Sequence, residues 1–329
     1  MHGIATDAIR NDVEKFLCDY FAQMQPASLY DPIRYVLTGG GKRLRPVLTV
    51  LAAESVSKTD VYESALRAGS AIEILHNFTL VHDDIMDKSD LRRGRQTVHN
   101  RWNDATAILS GDTMLGAAYQ ILLGATANSH DFGNIIQSFT AGLIGVCEGQ
   151  ALDLDYQRSS AVSMDKYMRM IELKTAKLLE ICAEIGAFIG GASSEQISVL
   201  REFARNVGAA FQIQDDLLDI TGEAAEFGKP IGNDIIEGKK TYLIVRAAEI
   251  APKGSDGELL RKFFNERGLP AIDIPRMKDM LQRHDVLNDA RSAIEKFSAD
   301  AAMYLSVLPD SPAKQKLLDI NAGLIVRRS

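Results

Sequence analysis

The sequence predicts an all-α protein, a helical bundle of about ten or more helices. Apolar residues recur three or four residues apart along nearly the whole chain, which is the spacing of one face of a helix. Proline is scarce, with 9 residues in 329, and no run of alternating β-branched residues lies between hairpin turns. We therefore predict helices over 60–87, 104–125, 131–155, 165–190, 194–221, 239–250, 257–267, 276–306 and 312–327.

Glycine and polar clusters separate these predicted helices. They lie at 38–41, 128–130, 190–193 and 222–238, where glycine and proline interrupt helical conformation. The helices at 60–87 and 194–221 are apolar on most faces, which is typical of helices in the middle of a bundle. Because no low-complexity linker and no long repeat divides the chain, we interpret residues 1–329 as one domain.

Composition excludes several classes of protein. The formal net charge is −7, from 37 basic and 44 acidic residues, and a protein that coats nucleic acid needs a basic excess. The cysteines Cys18, Cys147 and Cys182 are far apart, so they predict neither a disulfide framework nor a zinc site. Acidic residues near the N-terminus argue against a signal peptide, and no apolar run reaches the ~20 residues of a transmembrane helix. We expect a cytoplasmic protein that does not bind nucleic acid.

Two of the predicted helices end in aspartate clusters with residues at i, i+1 and i+4. Like charges this close destabilise a helix, and the negative end of the helix dipole adds to the cost. Oxygen ligands without cysteine or paired histidine select a hard cation such as Mg²⁺. A single cluster could be a solvated helix end, but two copies predict a metal site. Its candidate ligands are Asp83, Asp84, Asp87, Asp215, Asp216 and Asp219.

Basic groups accompany the aspartates along the chain. A glycine turn at 39–41 leads into Lys-Arg-Leu-Arg-Pro, and further basic residues follow at 92–93, 174, 229 and 239–240. Glycine-rich backbone beside lysine and arginine is suited to a diphosphate, although the turn does not match a P-loop. His76 shares a helix face with Asp83, about 10 Å away, and either binds a second anion or is a core residue. We predict two diphosphate sites, one bridged by metal and one held by basic side chains.

The motifs, in this order, resemble those of the trans-isoprenyl diphosphate synthases, also called polyprenyl synthetases. They are GGKRLRP, DDIMD with LRRG, KT, QIQDDLLD, FGKP and GKKT, and the resemblance extends from about residue 25 to the C-terminus. It implies an isoprenoid synthase fold, with helices around a central active-site cavity, and a homodimer. It also implies head-to-tail condensation of isopentenyl diphosphate with an allylic diphosphate. The resemblance further implies that three Mg²⁺ ions per active site, which Mn²⁺ could replace, assist the reaction.

The same resemblance implies roles for individual residues. Three aspartates would hold Mg²⁺ on the allylic diphosphate: Asp83, Asp87 and Asp215. Three more would support the metal cluster: Asp84, Asp216 and Asp219. Four basic residues would bind that diphosphate: Arg92, Lys174, Lys229 and Lys239. Isopentenyl diphosphate would be bound by Lys42, Arg45, His76 and Arg93, and the allylic cation would be stabilised by Thr175 and Gln212 beside Lys174.

Product length is expected to depend on the helix before the first aspartate cluster. Short-chain members carry an aromatic residue four or five places before the first aspartate, and here these places hold Thr79 and Phe78. This resembles geranylgeranyl diphosphate synthases of the archaeal type, with farnesyl diphosphate or a longer chain as alternatives. Leu75 and Thr79 lie nearer the face of Asp83, whereas Phe78 is about 140° away. Phe78 therefore either flanks the product tunnel or is a core residue.

The alternative functions predict different sequence features. A terpene cyclase or head-to-head synthase would lack the GGGKRLRP segment. A non-catalytic regulatory subunit of a heteromeric synthase would have lost motif aspartates, and all six are present. The C-terminal Arg327 and Arg328 either close over the isopentenyl site or form an ordinary basic tail, and the sequence does not distinguish the two.

Overall fold

The computed structural model describes residues 6–222, 231–250 and 252–326. Within them the protein is almost entirely helical, which confirms the predicted class. The helices are α1 (Thr6–Phe21), α2 (Ala27–Leu37), α3 (Leu44–Val56), α4 (Tyr62–Met86), α5 (Val98–Arg101), α6 (Asp104–Thr126), α7 (Phe132–Gln157), α8 (Met164–Ile171), α9 (Lys177–Ile189), α10 (Ser194–Thr221), α11 (Asn233–Ile236), α12 (Tyr242–Ile250), α13 (Gly254–Glu266), α14 (Ile274–Arg283), α15 (Val286–Leu305) and α16 (Pro312–Val326).

Several local features differ from the prediction, which included neither the three helices before residue 60 nor the short α5 and α11. The helix predicted over 276–306 is wrong, because it is two helices, α14 and α15, separated at Asp285, whose φ of 60° is left-handed. A single turn of π-helix, Glu172–Ala176, divides the helix predicted over 165–190 into α8 and α9. Residues Leu91–Arg92 (β1) and Arg95–Gln96 (β2) form a small antiparallel hairpin that helical periodicity did not indicate.

The chain forms two compact units. The first spans residues to 143, 178–204 and 304–319, and the second spans 144–177, 205–303 and the chain from 320. The assignment of 1–329 to one domain stays a prediction. No described helix is both long and apolar enough to cross a membrane.

The first unit is packed around α4, which is buried on most faces as predicted. Small residues bring its neighbours close: a Cβ on Gly69 of α4 would lie 2.7 Å from the Cα of Pro46 in α3. A Cβ on Gly111 of α6 would lie 2.2 Å from Nε2 of His82. Close packing of this kind fixes the rotation of α4 and therefore the direction of its polar side chains.

The second unit has its own apolar core. Residues from the later part of α10, such as Ile213 and Leu217, are buried with Phe263, Met277 and Met280 from the helices that follow. Lys240 is buried here as well. Its Nζ donates to the carbonyl of Gly238 at 2.9 Å and lies 4.6 Å from the ring centroid of Phe263.

Candidate active site

The first aspartate cluster forms the last turn of α4. Asp84 is buried, and its Oδ1 accepts a hydrogen bond from Nε of Arg92 at 2.7 Å. Asp83 and Asp87 are half-buried, and the backbone N–H of Asp87 donates to the carbonyl of Asp83 at 2.8 Å. Asp84 is therefore held by an ion pair with Arg92.

The β-hairpin directs two adjacent arginines to different partners. Its two turn residues, Arg93 and Gly94, have φ values of 52° and 71°, as a type I′ turn requires. Arg92 on the strand reaches Asp84, whereas Nη1 of Arg93 donates to the carbonyl of Gly40. A Cβ on Gly41 would lie 2.8 Å from Nη1 of Arg93. Gly41 therefore leaves room for the Arg93 guanidinium because it has no side chain.

His76 lies in a strongly cationic environment. Its pKa is well below the usual range because the ring is desolvated and because Arg45, Arg93, Arg92 and Arg43 lie nearby. The predicted residues Arg45, His76 and Arg93 are thus brought together. Lys42 is exposed, and its carbonyl accepts a hydrogen bond from Arg10 at 3.1 Å. A neutral imidazole among arginines can donate to an anion, and such a concentration of positive charge favours binding one.

The low pKa of His76 predicts how stability depends on pH. An unfolded histidine takes up a proton near pH 6.5, whereas the folded protein keeps His76 neutral at that pH. At this residue the unfolded state therefore binds more protons, and the contribution of His76 to stability falls as the pH decreases from about 7 to 5, by up to about 1.4 kcal/mol per pH unit. The raised pKa values of Asp216 and Asp219 act in the opposite direction, because their folded carboxyl groups keep protons that the unfolded ones release. We therefore expect the Tm of the substrate-free wild type to fall over this range relative to that of His76→Gln.

A matched control is His130→Gln, at an exposed histidine in the loop before α7. This variant should retain the pH dependence of the wild type. Equal slopes for wild type and His76→Gln would contradict the assignment.

In the second unit, the π-helical turn carries Lys174 and Thr175. Two glycines allow neighbouring helices to contact it: a Cβ on Gly149 of α7 would lie 2.3 Å from the backbone nitrogen of Lys174. A Cβ on Gly208 of α10 would lie 2.5 Å from the Cα of Ala176. Isolated π-turns within helices are frequent at functional sites because they redirect side chains.

Lys174 forms an ion pair with a buried carboxylate that the sequence analysis missed. Its Nζ lies 2.5 Å from Oδ2 of Asp153 in α7, and the Asp153 side chain is only 8% exposed. An acidic residue at a buried position of an otherwise apolar helix is the pattern that could have indicated it.

Thr175, Gln212 and Asp216 are joined in one hydrogen-bond chain. The Thr175 hydroxyl donates to Oε1 of Gln212 at 2.6 Å, and Nε2 of Gln212 donates to Asp216 at 2.9 Å. The other oxygen of Asp216 accepts from the Tyr167 hydroxyl at 2.7 Å and from the N–H of Tyr242 at 2.8 Å. Because Thr175 uses its proton in this chain, the remaining lone pairs of its hydroxyl oxygen can face a cation.

Two of the second-cluster carboxyl groups have raised pKa values. Burial raises the pKa of Asp216 to about 7, although Tyr167 and Tyr242 oppose the shift by hydrogen bonding. Burial and the neighbouring Asp234 raise the pKa of Asp219 to about 8. Lys239 lies 3.3 Å from Asp234 and 2.8 Å from Glu237. Desolvated carboxylates next to one another favour binding a cation.

The predicted metal ligands are chemically suited to Mg²⁺. Within the described parts of the chain, no three His, Cys, Asp or Glu side chains converge closely enough to hold an ion. The predicted ligands are oxygens only, as a hard cation requires. Mg²⁺ would therefore need ligands from substrate or water, which is usual for this ion.

The residues predicted to set product length lie along α4. Leu75 is buried, and Thr79 donates through its hydroxyl to the carbonyl of His76 at 2.8 Å. The Phe78 ring packs edge-on against His82 with centroids 4.7 Å apart. His82 in turn contacts α6 at Gly111. Phe78 is thus held in place by its own helix and by α6.

Comparison with known proteins identifies the family. The model for the polyprenyl synthetases matches residues 26–269. The chain belongs to this family. A geranylgeranyl diphosphate synthase of Methanosarcina mazei is 37% identical over 98% of the chain and 97% of its own length. A geranylfarnesyl diphosphate synthase of Natronomonas pharaonis is 35% identical over 97% of the chain and 96% of its own length.

Solved structures agree with this family assignment. The crystal structure of a geranylgeranyl pyrophosphate synthase, 36% identical, matches with a TM-score of 0.90 over 99% of this chain and 100% of that one. A polyprenyl synthase of Caulobacter crescentus, solved with calcium and isoprenyl diphosphate, is 26% identical and matches with a TM-score of 0.89 over the full length of both chains. This polyprenyl synthetase therefore has the isoprenoid synthase fold and is a trans-isoprenyl diphosphate synthase, a prenyltransferase.

Some predicted residues of this synthase lie outside the described part of the chain. They are Lys229, Arg327 and Arg328. Other residues of the two sites were not predicted from the motifs. They are Glu73, Asp153, Tyr167 and Asp234, whose contacts join residues distant in the sequence.

Proposed function

We propose that this synthase condenses isopentenyl diphosphate head-to-tail with allylic diphosphates and releases geranylgeranyl diphosphate. The observation that supports this best is the arginine group around His76, because a diphosphate is the anion that such a group is suited to bind. A C20 product is supported by several geranylgeranyl diphosphate synthases among the relatives, and a geranylfarnesyl diphosphate synthase at similar identity makes C25 the alternative.

In this proposal the first unit binds isopentenyl diphosphate. Lys42, Arg45 and Arg93 neutralise the diphosphate, and His76 donates a hydrogen bond to it. The neutral state of His76 suits this role because the substrate-free protein then holds no desolvated positive charge on the imidazole ring. The neutral ring can still donate a hydrogen bond to the diphosphate when it binds. Arg92 is placed differently: through Asp84 it is held at the aspartate cluster, where it would contact the allylic diphosphate.

The allylic diphosphate would be bound by Mg²⁺ and by lysines. Asp83, Asp87 and Asp215 would hold the ions, Asp84, Asp216 and Asp219 would support them, and Lys174, Lys229 and Lys239 would contact the diphosphate. Bound Mg²⁺ supplies positive charge that lowers the cost of expelling diphosphate. The number of ions, three, rests on the family resemblance.

Carbocation stabilisation is assigned to the hydrogen-bond chain at the π-helical turn. The Thr175 oxygen and the Gln212 oxygen are fixed dipoles, and fixed dipoles stabilise developing charge without reorganisation. The proton lost after the new carbon–carbon bond forms would pass to the departing diphosphate, since none of the motif side chains is an obvious base.

The proposed activity is tested by incubating the purified protein with isopentenyl diphosphate, Mg²⁺ and each allylic diphosphate in turn. We expect a C20 product as the main species by mass spectrometry. A C15 or C25 main product would show a farnesyl or geranylfarnesyl synthase instead. Absence of any product from every allylic substrate would favour a regulatory subunit of a heteromeric synthase.

Phe78 is proposed to limit the length of the product. Phe78→Ala removes a ring that is held against His82. The growing prenyl chain should therefore extend further before other side chains of the protein block it. We expect a clear fraction of products of C25 or longer, measured by chromatography of the dephosphorylated alcohols. Phe21→Ala, which removes a buried ring on α1, should leave the distribution unchanged. An unchanged distribution in Phe78→Ala would make Phe78 a core residue only.

We also propose a homodimer that forms through α6. Its outer face exposes Ile108, Leu109 and Leu123, which are 46%, 59% and 41% accessible, and apolar patches of this kind mark interaction surfaces. Gly116 and Gly124 on this helix leave space for a close partner. Light scattering should give twice the chain mass, and Leu109→Glu should give monomers. A dimeric Leu109→Glu variant would exclude this face.

A further inference from the structure

A buried ion pair lies beneath the glycine turn of the first unit. Nη1 of Arg43 lies 2.9 Å from Oε1 of Glu73, and both side chains are 3% exposed or less. Nη2 of Arg43 donates to the carbonyl of Leu37 at 2.5 Å. Glu14 of α1 lies 3.7 Å from Nε of Arg43. The arginine thus connects the end of α2, α4 and the turn before α3.

The backbone of Arg43 is as constrained as its side chain. Its φ is 47°, a left-handed conformation that costs a non-glycine residue about 1 kcal/mol. This conformation lies between Lys42 in the turn and Arg45 in the first turn of α3, two residues proposed to bind isopentenyl diphosphate. Because the conformation is unfavourable by itself, the buried contacts of Arg43 must hold it.

Glu73 is placed to influence the same site through its charge. It lies on α4 three residues before His76, and its Oε1 also accepts from Nδ2 of Asn77 at 3.4 Å. Desolvation lowers the pKa of Arg93, and the Glu73 carboxylate opposes that shift, so this charge acts on a proposed substrate contact. Without Arg43, a buried negative charge would lie beside a site meant for a diphosphate.

We propose that Arg43 is a positioning residue for isopentenyl diphosphate, acting through Glu73. It holds the turn that presents Lys42 and Arg45, and it neutralises the carboxylate beneath them. This inference rests on the proposed function of the site. It assigns Arg43 no direct contact with substrate, unlike the basic residues on either side of it.

A double-mutant cycle tests the inference with Arg43→Met, Glu73→Gln and the double variant. Each single substitution should raise the KM for isopentenyl diphosphate about tenfold, because each breaks a charged hydrogen bond. The KM for the allylic diphosphate should stay within about twofold of wild type. The double variant should be no worse than either single one, since both residues act as one unit.

Other roles for Arg43 predict different results. If Arg43 bound the diphosphate itself, Glu73→Gln would release it and lower the KM for isopentenyl diphosphate. If the ion pair only stabilised the fold, the Tm of the variants would fall. The ratio of the KM for isopentenyl diphosphate to the KM for the allylic diphosphate would stay at its wild-type value. Either result would overturn the inference.

One control variant keeps the cycle interpretable. Arg246→Met breaks an ion pair with Asp289 at 2.7 Å in the second unit and should change neither KM. If a single variant does not fold because one buried charge has lost its partner, the inference is tested by the KM values of the double variant. A wild-type KM for isopentenyl diphosphate in that variant contradicts the inference. The proposed function is judged separately, by whether the wild type forms product from both substrates.

Discussion

Gly149→Ala should lower prenyl transfer about a hundredfold or more. The added Cβ would lie 2.3 Å from the nitrogen and 2.6 Å from the Cα of Lys174, and backbone cannot move aside as a flexible side chain can. Overpacking of this kind costs about 1–3 kcal/mol of stability, and a displacement of about 1 Å at a reacting centre can cost a hundredfold in rate. Steady-state kcat/KM and the Tm measure both effects.

The matched control is Gly133→Ala near the start of the same helix. A Cβ there meets no atom within 4 Å, so alanine should leave activity unchanged and stabilise α7 by about 0.5–1 kcal/mol. If Gly149→Ala retained wild-type kcat/KM, the contact between α7 and the π-helical turn would not be needed to place Lys174 and Thr175.

Asp83→Asn should reduce kcat about a thousandfold, which corresponds to about 4 kcal/mol of transition-state stabilisation. The substitution preserves size and removes the charge that is proposed to hold Mg²⁺. The KM for isopentenyl diphosphate should change by less than about threefold because its proposed contacts, His76 and Arg93, lie elsewhere. Kinetics at increasing Mg²⁺ should also show a higher metal requirement than in the wild type.

Asp90→Asn provides the comparison for this effect. Asp90 is exposed just beyond the cluster, and its Oδ1 accepts from Asn100 at 2.8 Å, so the variant should retain nearly full kcat. Wild-type turnover in Asp83→Asn, or an equal loss in Asp90→Asn, would be inconsistent with the proposed metal ligand.

Much of the site could be predicted because its groups are close in the sequence. Asp83, Asp84 and Asp87 follow one another at the C-terminal end of α4, so their spacing alone indicates a carboxylate cluster. The pairing of Asp84 with Arg92 could not be predicted, because it depends on a hairpin turn that directs Arg92 to Asp84 and Arg93 to Gly40.

The second site likewise combines residues that the sequence predicted with contacts that it did not predict. The adjacent Lys174 and Thr175 are visible in the sequence, whereas the π-helical turn that carries them is not. That turn packs against Gly149 and Gly208, and helical periodicity does not report contacts between helices. Asp153, 21 residues from Lys174, was missed for this reason.

The sequence by itself determined the helical class, the approximate bounds of the long helices α4, α6, α7 and α10, and the chemistry of the motifs, because periodicity and motif spacing are local properties of the chain. Only the tertiary structure decided which buried charges pair. Arg43 and Glu73 are 30 residues apart, and neither their burial nor their contact follows from spacing along one helix. Packing sets such pairs, since a desolvated charge is stable only where another element supplies its partner.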